Sequence, residues 1–310
     1  RRRPLALMRI ISLFPAATEI VAALGAAGSL VGVSHDSDYP EELLQGIPRV
    51  TRSILDENAS PGDIDRQVRV ADTLGDSLHV MDASAITDLE PDVILTQGIC
   101  DVCAIREGDV RIIAESMWKP PIVLSLSADS LDEMLNDIRR VGAVLERSPL
   151  AEVLVKRLED RMYRVHERLV AAAVPRPRVA VIEWTDPIYN SGHWVPQMVR
   201  RAGGTEVLAK AGDRSRVVTM PEVAAAKPDT VIIAPCGYGV DRAAAEAREQ
   251  LRREGWGTVA PHEVWAMDSG GLLSRPGPRL VDGVETLAEI FHPAVFPRPP
   301  RSRAVQLVPG

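Results

Sequence analysis

The sequence predicts an α/β chain of two similar lobes bracketing one long helix. Three observations carry that prediction. A strand-then-helix grammar starts at Ile10 and starts again at Arg178; the phrases "LEPDVILTQG" (89–98) and "AAKPDTVIIAPCG" (225–237) paraphrase each other; and an unbroken helical pattern over 148–174 lies between them. A chain of 310 residues has material for two cores of ordinary domain size.

In the first lobe, "RIISLF" (9–14) reads as a short apolar strand, and "PAATEIVAALG" (15–25) as a helix with Ile20, Val21 and Leu24 on one face and Gly25 at its end. "LVGVS" (30–34) is a second strand running into the polar loop "HDSDYP". A polar helical insert around 60–75 comes next, then a helix ending in "LEPD" and the strands "VILT" and "PIVLSL". "SLDEMLNDIRRVGAVLER" opens with Ser130 and Glu133 at capping-box spacing. Helix 148–174 has Ser148 as cap and Pro149 in its first turn, and would run about 39 Å. "PRP" (175–177) ends it.

The second lobe repeats the order: strand "RVAVIEW", helix "PQMVRRAGG", helix "MPEVAAAKPD", strand "TVIIAP", helix "VDRAAAEAREQLRREG", strand "VWAMD" and helix "GPRLVDGVETLAEIF". Expected boundaries are 8–147 for the first lobe, 148–174 for the helix, 175–297 for the second lobe and 298–310 for a disordered tail.

Bulk numbers narrow the function. The chain is 45% hydrophobic and 25% charged, a globular composition. Its net charge of −7 argues against a nucleic-acid surface, and no run approaches the length of a membrane helix. Arginines precede an apolar run in "RRRPLALMRIISLF", but Arg9 interrupts that run and no small-residue cleavage site follows. Met8 reads as a natural start, leaving open whether Arg1–Leu7 is native. The expectation is a cytoplasmic monomer, with a periplasmic location as the alternative.

Ligands of open α/β sheets sit at the carboxyl ends of the strands. The loops that follow the strands here are Phe14–Thr18, His35–Tyr39, Gln97–Cys103, Trp184–Trp194, Cys236–Tyr238 and Ser269–Arg275. Six of the twelve aromatic residues fall in them: Phe14, Tyr39, Trp184, Tyr189, Trp194 and Tyr238. Such a bias suggests walls for a large flat ligand in a cleft between the lobes, with His35, Asp36, Gln97, His193 and Arg275 as polar contacts. Packing of the rings into the lobe cores, or a turn-capping role for Asp36, is the plainer alternative.

All three cysteines share the bias: Cys100 and Cys103, in C-x-x-C spacing, follow one repeat strand and Cys236 its counterpart. A structural zinc site normally takes four ligands, and no second C-x-x-C exists. Three readings remain: pocket-lining thiols, a disulfide or redox pair, and metal coordination with His35 or His193. The last two define the rival class, a cysteine-based metallochaperone or redox enzyme. No G-x-S-x-G, Walker-type glycine loop or H-E-x-x-H occurs, so no catalytic or resident metal site is assigned and no cofactor is required.

Taken together, "ISLFPAATEIVAALG", "LVGVSHDSDYP", "LEPDVIL", "IYNSGHWVPQMVRRAGG", "AAKPDTVII" and "SRPGPRLVDGVETLAEI" resemble the cobalamin-binding proteins of vitamin importers, over about residues 9–293. The resemblance implies the class III periplasmic-binding-protein fold, two Rossmann-like lobes on a rigid helix. It also implies a corrinoid such as cobalamin or cobinamide as ligand, and delivery to an ABC permease. Metal, siderophore and haem binders share that fold. The sequence departs from the pattern where the family places a tryptophan near Thr96–Gln97 and aromatic residues at Leu272 and Leu273. Of the two docking glutamates the family presents, Ser84 stands at one place and Pro221 followed by Glu222 at the other.

Overall fold

The computed structural model describes residues 8–98, 105–253, 255–259 and 261–308. The chain divides into two compact units, one of residues 1–128 with 133–155 and one of 129–132 with 156–310. The division falls inside the 25-residue helix Ser148–Ala172. Its first half buries Ala151, Leu154 and Val155 in the first unit, and its second half buries Leu158, Met162 and Val165 in the second. Arg161, on that second half, donates to Glu285 at 2.9 Å and also pairs with Asp282, fastening it to the helix Leu280–Phe291.

The first unit holds strands β1 (Ile10–Ser12), β2 (Leu30–Val33), β5 (Val93–Gln97) and β6 (Ile122–Leu126) in one parallel sheet of order β2-β1-β5-β6. A separate antiparallel pair, β3 (Thr51–Ser53) and β4 (His79–Met81), is built from the segment flanking the polar helix Pro61–Leu74. Ser60 caps that helix by accepting from the Asp63 N–H. One face of the sheet packs Ile11, Ile94 and Leu13 against Ile105, Val110 and Ala114, which flank or belong to the helix Glu107–Ser116.

In the second unit, β7 (Arg178–Thr185), β10 (Thr230–Ile233) and β11 (Glu263–Met267) run parallel, with β8 (Ile188–Asn190) and β9 (Thr205–Glu206) beside β7. Val179 to Ile182 and Val231 to Ile233 are all at most 1% exposed, so both faces of these strands are covered. The expected disordered tail is corrected here. Ala304–Val308 forms a strand, β12, antiparallel to β11, and Val305 and Leu307 pack against the unit's core. The Pro- and Arg-rich stretch before it masked a short, largely apolar run, "AVQLV".

The two Pro-Asp phrases do the same job in each unit. Asp92 accepts the Arg9 N–H at 3.0 Å and donates its own N–H to the Arg9 carbonyl; Asp229 does both to Arg178 at 2.8 Å. Arg9 and Arg178 in turn reach back to carbonyls ending the preceding helix, Leu89 O and Lys227 O. Glu90 and Lys227, just before the prolines, both take positive φ, 41° and 45°. The motif therefore ends a helix and also fixes where the next strand enters beside the first.

Candidate functional site

In the first unit the loops after β1, β2 and β5 enclose a cavity of about 60 Å³, whose walls include Phe14, Ser34, His35, Asp36, Thr51, His79, Thr96 and Gln97. Hydroxyl groups set this geometry. Ser12 donates to Phe14 O at 3.0 Å and Thr18 donates to Ser12 at 2.8 Å. Thr18 and Ser37, then Ser37 and Ser34, continue the chain at 2.8 Å each. All four residues are buried, so the chain laces the β1 loop to the β2 loop inside the protein. The Arg49 guanidinium closes the turn by donating to the carbonyls of Ser34, at 3.0 Å, and Ser37. These hydroxyls belong to "ISLFPAATEIVAALG" and "LVGVSHDSDYP", two of the stretches that carry the resemblance.

Backbone pairing brings Thr51 and His79 to the same place. Residues 48–50 run alongside the end of β2, with the Val50 N–H donating to Val33 O at 2.9 Å, and β3 then pairs with β4 in the register Ser53↔His79. The Thr51 hydroxyl oxygen accepts the His35 backbone N–H at 3.0 Å and lies 2.7 Å from His35 Nδ1. His35 Nε2, on the far side of the ring, makes no hydrogen bond and stands 3.4 Å from Asp36 Oδ2. The His35 and His79 ring centroids are 5.1 Å apart. Donor atoms of His35, Asp36 and His79 all lie within 4.8 Å of one another, close enough to share a metal ion. Thr96, wholly buried on the same wall, leaves its hydroxyl without a hydrogen bond. Of this set the sequence pointed to Phe14, His35, Asp36 and Gln97 and passed over Thr51, His79 and Thr96.

In the second unit the expected residues form pairs. Trp184, half-buried on β7, meets Tyr238 edge-on at 5.6 Å between ring centroids. Tyr238 is buried, takes a hydrogen bond from Arg242 at 2.9 Å on its hydroxyl, and carries the same guanidinium over its ring. Trp194 is buried and donates its indole N–H to Leu273 O at 2.6 Å, while His193 lies against it at 5.6 Å. Tyr189, on β8, and Arg275 are half-buried. Leu272 and Leu273 are buried.

The "NSGHW" motif binds a neighbouring loop. Asn190 Oδ1 accepts the Arg216 N–H at 2.7 Å, and the His193 N–H donates to Asp213 O at 2.8 Å. A Cβ on Gly192 would fall 2.5 Å from Ser215 N, so only glycine permits that approach. Two carboxyls nearby were missed by the sequence reading. Burial pushes Glu206 up to about 7, against hydrogen bonds from the N–H groups of Leu208, Val181 and Val207, and pushes Glu183 up to about 6, against bonds from Ser215 and Gly192.

Cys236 is exposed at the turn after β10; Cys100 and Cys103 lie outside the described residues. Glu222, the expected docking carboxylate, is exposed but occupied. It accepts from the Thr219 backbone at 2.8 Å and its hydroxyl at 3.0 Å, completing a capping box, and pairs with Arg216 at 3.0 Å. Ser84 is exposed on the helix Ala83–Asp88.

Residues 10–257 match the family model described as periplasmic binding protein. The chain belongs to the periplasmic binding protein family. A substrate-binding lipoprotein of an ABC transporter from Bacillus subtilis, itself uncharacterised, is 26% identical over 93% of this chain and 81% of its own length. The vitamin B12-binding protein of Vibrio cholerae is 24% identical over 91% of this chain and 88% of its own. Among solved structures, a periplasmic haem-binding protein from Pseudomonas aeruginosa superposes with TM-score 0.72 at 21% identity, covering 98% of this chain and 99% of the other. The periplasmic vitamin B12-binding protein of Vibrio cholerae gives 0.62 at 21% identity, over 92% and 97%. The two-lobed class III fold is thereby established.

As a periplasmic binding protein, the chain is a solute-binding protein and not an enzyme, with a small-molecule ligand and an ABC transporter as its partner. The expectation of a cytoplasmic location is overturned: the family is periplasmic, and the Bacillus subtilis relative is a lipoprotein. That expectation read the compartment from the start of a chain whose first residue is not Met, which carries no such information. Among the described residues no helix is long and apolar enough to cross a membrane.

Proposed function

We propose that this periplasmic binding protein captures a corrinoid, or another tetrapyrrole of similar size, for ABC-type uptake. The supporting observation is that a relative named a vitamin B12-binding protein aligns with 91% of the chain, while a structural neighbour over nearly its full length is named a haem-binding protein. Corrinoids and haem share a broad, flat, metal-centred macrocycle, whose faces suit half-buried aromatic side chains and whose edge groups suit polar ones. Trp184 and Tyr189 in the second unit are the candidate ring contacts. Phe14 and Gln97 in the first are candidates for the ligand's periphery, because a cavity of about 60 Å³ is far too small to engulf a macrocycle. No covalent step is involved.

The test is a titration of the purified chain with cyanocobalamin, cobinamide and haem, read by absorbance and by thermal unfolding. One of the three should perturb the spectrum and, at a hundredfold excess over its Kd, stabilise the protein by about 2.7 kcal/mol. Silence with all three sinks the reading. A response to haem alone would move the assignment from corrinoid to haem.

A further inference from the structure

We propose that His35, Asp36 and His79 form a binding site for one divalent transition-metal ion of the zinc and cobalt class. The donors are two imidazoles and one carboxylate, a set that suits borderline cations and leaves one tetrahedral position open. An ion with bonds of about 2.0–2.1 Å holds its ligands about 3.3 Å apart at the tetrahedral angle. His35 Nε2 and Asp36 Oδ2 already stand at 3.4 Å, too long for a good hydrogen bond and right for two ligands of one ion. The whole set lies within 4.8 Å, and the Asp36 side chain is 44% exposed.

Two features around the cluster are those of a ligand site. Thr51 Oγ1, already accepting the His35 backbone N–H, has a second lone pair for the Nδ1 proton. With the proton held there, the Nε2 lone pair faces Asp36, which is how a metal-ligating histidine is ordinarily oriented. Independently, the Thr96 hydroxyl is fully buried, lines the same cavity and makes no hydrogen bond. A water completing the ion's coordination would supply the partner that this oxygen lacks, and about 60 Å³ is room for an ion and its water.

The inference is independent of the macrocycle reading, and the test keeps them apart by using the metal alone. The full chain is stripped with chelator, dialysed against Co²⁺ or Zn²⁺, and assayed for bound metal and for the visible ligand-field bands of four-coordinate cobalt. One ion per chain with those bands is expected. His79→Asn and Asp36→Asn should each weaken binding at least tenfold, with folding checked by circular dichroism, and the Cys100→Ser/Cys103→Ser double variant should bind as the parent does. Should His79→Asn fail to fold, the exposed Asp36 position decides alone. No stoichiometric ion, binding that survives the decisive variant, or binding lost with the cysteines overturns the site. A chain that takes up a tetrapyrrole but no free metal also overturns it, and leaves the proposed function standing.

Discussion

The polar loops of the first unit and the aromatic loops of the second both follow the carboxyl ends of parallel strands, yet they treat their functional groups in opposite ways. In the second unit the polar tips find partners within the unit: Trp194 on Leu273 O, the Tyr238 hydroxyl on Arg242, Asn190 on Arg216. In the first unit the hydroxyls of Ser12, Thr18, Ser34 and Ser37 satisfy one another, while His35 Nε2 and Thr96 Oγ1 are left without hydrogen bonds at a cavity wall. Buried polar atoms are costly to leave unmatched, so unmatched atoms gathered on one cavity wall, as His35 Nε2 and Thr96 Oγ1 are, lie where a ligand could supply the match. Position after a strand identifies a loop; the partners of its polar atoms tell whether the loop is used by the fold or by a ligand.

The largest test of this contrast is Trp194→Ala. If the indole is core, as its burial and hydrogen bond imply, truncation should cost about 3–5 kcal/mol in denaturant unfolding of the second unit. A loss below about 1 kcal/mol would instead mark a side chain held for a ligand, and the contrast between the units would dissolve.

Next in size is the pH dependence of the second unit. Burial raises the folded-state values of Glu206 to about 7 and Glu183 to about 6, above the ordinary value of 4.5. For an acid raised on folding, the protonated form is the one the fold favours. The stabilisation is therefore complete below about pH 4.5 and is lost as pH rises through the folded values. Between about pH 4.5 and 7 the Glu206 contribution should fall by about 3 kcal/mol and that of Glu183 by about 2. Glu206→Gln should flatten the larger part of that slope, whatever its absolute stability. An unchanged slope would mean that the carboxyl is solvated in the folded unit.

How much of this was legible follows from what each signal reports. The Pro-Asp repeat was readable because it acts on backbone, and Asp92 and Asp229 clamp equivalent strands by the same bonds. The long helix and parallel strands were readable from apolar spacing. Ser12, Thr18 and Ser37 lie in stretches that carry the family resemblance, but the hydrogen bonds that join them across two loops have no signature in spacing. His79 was invisible for a related reason: it sits on a three-residue strand after a polar insert, and only the β3–β4 pairing carries it to His35. Trp194 and Tyr238 were correctly placed after strands, but sequence gives no hint that Leu273 and Arg242 would engage them.

The finest test acts on Thr51, which touches the proposed ion only through His35. Thr51→Val keeps the shape of the side chain and removes the oxygen that holds Nδ1, freeing the imidazole to turn or to carry its proton on Nε2. Loss of such an orienting partner ordinarily lowers metal affinity 10- to 100-fold. Cobalt affinity should drop by that factor, while the unfolding free energy falls by about 1–3 kcal/mol, because the His35 backbone N–H loses its acceptor as well. If stability falls and affinity does not, Thr51 belongs to the fold alone, and the first unit would handle its polar atoms as the second does.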